Sequence, residues 1–167
     1  MVDTDSRPFP GRVVLVLVVF RLMLGLLFLS VWGSNLDKGL YDPGPYANLI
    51  EFYADEGEAP GFWREIMRLV ADNAAVAAPL QLVGELALGV LLLVGLATRP
   101  AGVAAGLFLT ALWVSEIGAP DEWAWSLVFP ALAAFAVALL SAGRYYGLDG
   151  LLLGRAPFNR LPRWATG

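Results

Sequence analysis

The chain has 167 residues, of which 58% are hydrophobic, and its mean hydropathy of +0.66 sets it apart from a soluble globular protein. A formal net charge of −4 offers no basic field for a polyanion, which excludes nucleic-acid binding. Cysteine and histidine are absent, so disulfides, thiolate catalysis and the usual zinc or haem ligation are excluded; no metal site is expected, and no cofactor bound covalently.

Met1 to Gly11 is polar and contains Pro8 and Pro10, so it reads as a short irregular tail. From Arg12 the run VVLVLVVFRLMLGLLFLSVW predicts a first membrane span over about 13–32, long enough for a hydrocarbon layer of about 30 Å. It outlasts a secretory h-region, holds an arginine at its centre and lacks a small-x-small cleavage site, so it is read as a permanent span. Residues 33–73 make a wet, acidic outer loop in which ANLIEFYADE and PGFWREIMRLVAD each predict a short amphipathic helix on the membrane surface. In the second of these, Phe62, Ile66, Leu69 and Val70 share a face opposite Arg64, Glu65 and Arg68. Further spans are predicted over about 74–96, 101–117 and 123–140, separated by the turn Thr98-Arg99-Pro100 and by the breaker Gly118-Ala119-Pro120. The tail, 141–167, carries Arg144, Arg155, Arg160 and Arg163. With Arg7, Arg12 and Arg99 these fall on one side and the acidic loops on the other, which predicts a multi-pass protein of a prokaryotic plasma membrane with both termini cytoplasmic. The expected fold is all-α: an integral membrane four-helix bundle, a single domain over 1–167, with interfacial amphipathic helices in the first outer loop.

Arg21 and Glu85 are the ionisable residues deep in the first two predicted spans. A charge at a span's centre costs about 2.5–3.5 kcal/mol on insertion scales, which calls for a partner in the interior. Counted from the cytoplasmic edge, the two differ in depth by only about 4 Å, so an intramembrane ion pair is expected. Gln81 lies on the face of Glu85, and Gly102, Gly106, Thr110 and Trp113 form a stripe on the third span with Glu116 a turn above. On this reading Arg21 and Glu85 floor a cavity rimmed by Trp32, Trp113 and Glu116. Two roles remain open for the pair: a structural tie that fixes helix register, or a site for a flat lipid-soluble carbonyl compound such as a quinone, with Arg21 donating to an oxygen and Glu85 handling a proton. The tryptophans equally suit an interfacial aromatic belt, and Gly102 with Gly106 suits close helix packing.

Three segments carry a resemblance to a known family: RLMLGLLFLSVWGSNLDKGL in the first span, QLVGELALGVLLLVGLATRPAG in the second, and the closing SAGRYYGLDGLL. In this order and spacing they resemble the DoxX family of small integral membrane proteins, including its DoxD-like relatives associated with thiosulfate:quinone oxidoreductase. Departures are a longer first outer loop and the Tyr146-Gly147 interruption of the closing motif. The resemblance implies a small membrane subunit linked to quinone-dependent or thiol and sulfur redox systems. It also implies that Arg21 and Glu85 match positions often polar in the family, and that Gly143, Arg144, Tyr145 and Asp149 form the closing motif. Arg144 and Asp149 are in addition expected to anchor the last span at the headgroup layer. The function expected is a membrane subunit of a redox system that interacts with quinone or anchors a soluble oxidoreductase, its partners being the bilayer and either another subunit or a second copy. A non-catalytic scaffold and a small-solute transporter or channel subunit are the rival readings.

Overall fold

A computed structural model describes residues 9–152, which are helical throughout with no strand among them. The helices are α1 (Gly11–Asp37), α2 (Pro43–Glu56), α3 (Gly61–Asp72), α4 (Ala74–Val94), α5 (Thr98–Ser115), α6 (Trp125–Leu139) and the single turn α7 (Leu148–Leu152), with a 3-10 turn at Ala142–Arg144. Arg7, Arg155, Arg160 and Arg163 of the expected cytoplasmic charge set lie outside the described residues.

α1 and α4 are long and apolar enough to cross a membrane; α6 is apolar but shorter. At 27 residues, α1 is about 40 Å long, which exceeds a hydrocarbon layer. It runs past the predicted end of its span, carrying Gly33 within the helix, and ends just before Gly39, which takes a left-handed φ of 67°. α5 begins earlier than expected. Its first turn contains Arg99 and Pro100, where proline's missing N–H costs no hydrogen bond, and the chain reverses instead at Gly95 (φ 69°) and Ala97 (φ 48°).

α1 packs on α4 and α6, and α5 on α4 and α6, so these four helices contact one another in a closed ring. Small residues set the closest approaches. A Cβ on Gly25 would lie 2.8 Å from the Leu93 backbone nitrogen, and one on Gly89 the same distance from the Leu29 side chain. Gly102 and Gly106 likewise face Ala134, Ala138 and Phe135 of α6. The core between the helices is Leu17, Leu24, Phe28, Leu92, Leu109 and Val137. Outward-facing side chains are also apolar: Leu15, Met23, Val83, Leu107, Phe129 and Leu132 are all exposed. A chain apolar inside and outside is built for a lipid solvent.

α2 and α3 pair with each other and lie against α4 and α5 at the end of the ring opposite α7. Trp63 Nε1 donates to Ser115 Oγ at 2.9 Å, the Tyr53 hydroxyl donates to Glu122 at 2.8 Å, and the Glu58 N–H donates to the Ile117 carbonyl at 2.6 Å. In α3, Met67 and Ala71 turn inward, whereas Phe62, Ile66 and Leu69 are exposed.

Candidate functional site

Buried polar side chains gather at both ends of the ring. At the α7 end, Arg21 is only 1% exposed, and its guanidinium donates to the carbonyls of Ala142 (3.4 Å), Tyr145 (3.3 Å) and Tyr146 (3.1 Å). Gly95 and Gly147 close over it so tightly that a Cβ on either would meet Arg21 Nη1. Asp149 is buried nearby. Its Oδ1 and Oδ2 accept from the N–H groups of Ala97 (2.8 Å) and Thr98 (2.9 Å), and its own N–H donates to the Gly95 carbonyl at 2.8 Å. A carboxylate from the end of the chain thus caps the start of α5, where unpaired N–H groups and the helix dipole favour a negative charge. Gly143 is wedged against Thr98 and Asp149, where a Cβ would collide with both side chains. Tyr145 is half-buried and Arg144 exposed.

Two expectations are corrected here. Arg21 and Glu85 do not meet: the contacts of Gly25 with Leu93 and Gly89 with Leu29 fix an antiparallel register in which Glu85 stands level with Gly33, about 18 Å along α1 from Arg21. Arg21 satisfies its charge on turn carbonyls instead. Asp149, at 2% exposure, is a helix cap rather than a headgroup anchor.

At the opposite end, Glu85 is 2% exposed and both its oxygens are engaged. Oε2 accepts from the Tyr41 hydroxyl at 2.6 Å and Oε1 from Gln81 Nε2 at 2.7 Å, while Gln81 Oε1 accepts from the Tyr46 hydroxyl at 2.8 Å. Burial first, and then the hydrogen bond to Glu85, raises the Tyr41 hydroxyl above its ordinary pKa, so Tyr41 is held as a donor. Burial and then the charge of Glu85 do the same to Tyr46.

Beyond Glu85 opens a pocket of about 250 Å³ lined by Leu27, Phe28 and Val31 of α1, Phe108, Leu109 and Leu112 of α5, and Ser126 and Leu127 of α6, with Glu116 and Glu122 on its wall. Glu116 follows the last residue of α5; burial, and next the charge of Glu122, push its carboxyl up to about 7. The pocket is therefore an apolar, partly aromatic slot with carboxylates and a hydroxyl, and among the described residues no cation lines it. No group of three or more acidic residues suited to a metal ion is found among the described residues. Of the predicted site residues, Glu85 and Glu116 line this pocket and Gln81 buttresses Glu85. Trp32 and Trp113 are half-buried but outside its lining, and Arg21 belongs to the other end.

The sequence matches the family described as TQO small subunit DoxD over residues 16–161. The chain belongs to the DoxD family. No curated protein and no solved structure matches it. DoxD membership and the apolar helices make it a membrane protein, and the family description is that of a subunit, which places its members in a larger assembly. The resemblance to the broader DoxX group is thereby narrowed to its DoxD-like branch. Sequence reasoning missed Tyr41, Tyr46, Glu122 and Ser126 in this DoxD chain. A buried carboxylate needs donors, and Tyr41 and Tyr46, the first hydroxyl-bearing side chains beyond Asp37, were the signal.

Proposed function

We propose that the chain is a multi-pass protein of the plasma membrane, with α1, α4, α5 and α6 as a four-helix transmembrane bundle, α2 and α3 at the interface and both termini cytoplasmic. Its role is that of the quinone-interacting subunit of a redox complex. The closed helix ring, the lipid-type exterior, the exposed Phe62, Ile66 and Leu69 of α3 and the DoxD membership support this placement.

The observation that carries the redox role is the Glu85 pocket. Its roughly 250 Å³ exceeds the ~150 Å³ known to house a six-membered ring, and Phe28 and Phe108 supply flat apolar walls. Carboxylates at its polar edge accept hydrogen bonds from a hydroquinone, and Glu116, whose carboxyl burial pushes up to about 7, donates to a quinone carbonyl when it is protonated. Interconversion of the two forms moves two electrons and two protons. The protons pass between ligand oxygens and the carboxylates; with no cysteine or histidine in the chain, the electrons pass to or from a redox centre in the partner subunit.

The test is titration of the purified protein in lipid nanodiscs with short-chain ubiquinol and menaquinol analogues. Saturable binding is expected, weakened about tenfold or more in Glu85→Gln. Absence of saturable binding, or an unchanged affinity in Glu85→Gln, refutes the quinone role. A scaffold role, with the chain anchoring a soluble oxidoreductase, is favoured by one observation: both terminal nitrogens of Arg21 are spent on tying α1 to the carbonyls of the closing turn. That reading predicts a stoichiometric partner in mild detergent and no ligand dependence.

A further inference from the structure

A groove of about 580 Å³ runs along the outside of the ring between α1 and α6, walled by Met23 and Leu27 on one side and by Phe129, Pro130, Ala133 and Ala136 on the other. Its walls are almost wholly apolar, and Met23 and Phe129 are 61% and 72% exposed, so it opens to whatever surrounds the protein. Two features of α6 keep it open. Ala133 and Ala136 are too small to fill the seam, and Pro130, inside the continuous helix, has no N–H and leaves the Ser126 carbonyl without its usual donor.

The groove adjoins the Glu85 pocket. Leu27 lines both the groove and the Glu85 pocket, and the next turn of α1, with Phe28 and Val31, and the preceding turn of α6, with Ser126 and Leu127, line the pocket alone. The groove and the pocket thus follow one another along the seam between α1 and α6, with Leu27 at the border between an apolar exterior and the cavity of the buried carboxylate. Its occupant must match both ends. The groove takes a chain of hydrocarbon. The pocket, lined among the described residues by Glu85, Glu116 and Glu122 and by no cation, repels an anionic headgroup and favours a neutral head with hydroxyl donors.

We propose that the α1–α6 seam is a lateral portal for a polyisoprenoid hydroquinone, which enters from the bilayer with its ring at Glu85 and its tail in the groove. The proposal rests on the quinone-binding reading of the pocket. It assigns positioning roles to Met23, Ala133 and Ala136, none of which touches the ring site.

The experiment compares two probes on nanodisc-embedded protein: a hydroquinone head without a tail and the same head with a decaprenyl tail. Ala133→Trp fills the groove from α6; Met23→Trp obstructs it from the exposed face of α1, where no core packing is disturbed. Comparison of variants in one lipid composition cancels the partitioning of the tailed probe. Each substitution is expected to weaken the tailed probe about tenfold while leaving the tail-less probe within about twofold. If Met23→Trp affects neither probe or both equally, the portal is overturned, and Glu85-dependent binding of the tail-less probe then leaves the pocket reading standing. If the tail-less probe shows no Glu85-dependent binding, the pocket reading fails and the portal with it.

Discussion

Arg21 and Glu85 each meet the demand that a buried charge be paired or hydrogen-bonded, and they do so separately. The guanidinium is answered by backbone carbonyls of residues 142–146, the carboxylate by Tyr41 and Gln81. Removing Arg21 takes away the guanidinium bonds to those carbonyls, of which Ala142 keeps the Tyr145 N–H, and charge-assisted hydrogen bonds are worth about 1.5–3 kcal/mol. Arg21→Ala is therefore expected to cost on the order of 3 kcal/mol. Because the two groups are about 18 Å apart along α1 and share no partner, Arg21→Ala and Glu85→Ala should add to within about 0.5 kcal/mol. A double-mutant cycle in denaturant-titrated detergent micelles checks this, and a coupling well above that value would restore the direct pair.

Among elements, the start of α5 shows how the end of the chain secures a turn made much earlier. Ala97 occupies the left-handed region, a conformation that costs a non-glycine residue about 1–2 kcal/mol, and is held there by the two hydrogen bonds to Asp149. Asp149→Ala removes both and is expected to destabilise the protein by about 1–2 kcal/mol, the usual worth of a lost cap. Asp149→Asn keeps one good acceptor and should cost less. Gly143→Ala should damage the same place by collision with Thr98 and Asp149. Thermal unfolding of the three variants tests the ranking; equal stability of Asp149→Ala and wild type would show that the cap is idle. The long apolar helices were legible from the sequence because hydropathy directly reports contact with lipid or core, and α2 and α3 were legible from their spacing. What hydropathy does not encode is how one helix slides against the next. The contacts of Gly25 with Leu93 and Gly89 with Leu29 decide that, and a depth count from predicted span edges misjudged the Arg21–Glu85 offset for that reason. The closing motif was recognisable as a pattern, yet the job of its Asp149 depended on a turn 52 residues earlier, at Ala97.

At the scale of the whole molecule, the two ends are built for different purposes. The α7 end is glycine-tight around Arg21, whereas the α2–α3 end keeps a pocket lined by Glu85, Glu116 and Glu122. Glu116 makes that difference measurable. Burial and the charge of Glu122 raise its carboxyl from 4.5 to about 7, so the folded protein holds this proton more tightly than the unfolded chain does. A raised carboxyl contributes stability that is fully present below its unfolded pKa and is lost as pH rises through its folded value. Glu116 should therefore favour folding at pH 4.5 and below, and its contribution should decline until about pH 7. Glu116→Gln stays neutral at every pH, so the stability of this variant relative to wild type should increase across that window and level off above it. Melting temperatures in one detergent at fixed ionic strength give the difference directly and cancel the other carboxylates that titrate in the same range. A difference that stays constant from acid to neutral pH would mean that Glu116 is hydrated like a surface glutamate, and that the pocket around it is open to water rather than reserved for an apolar ring.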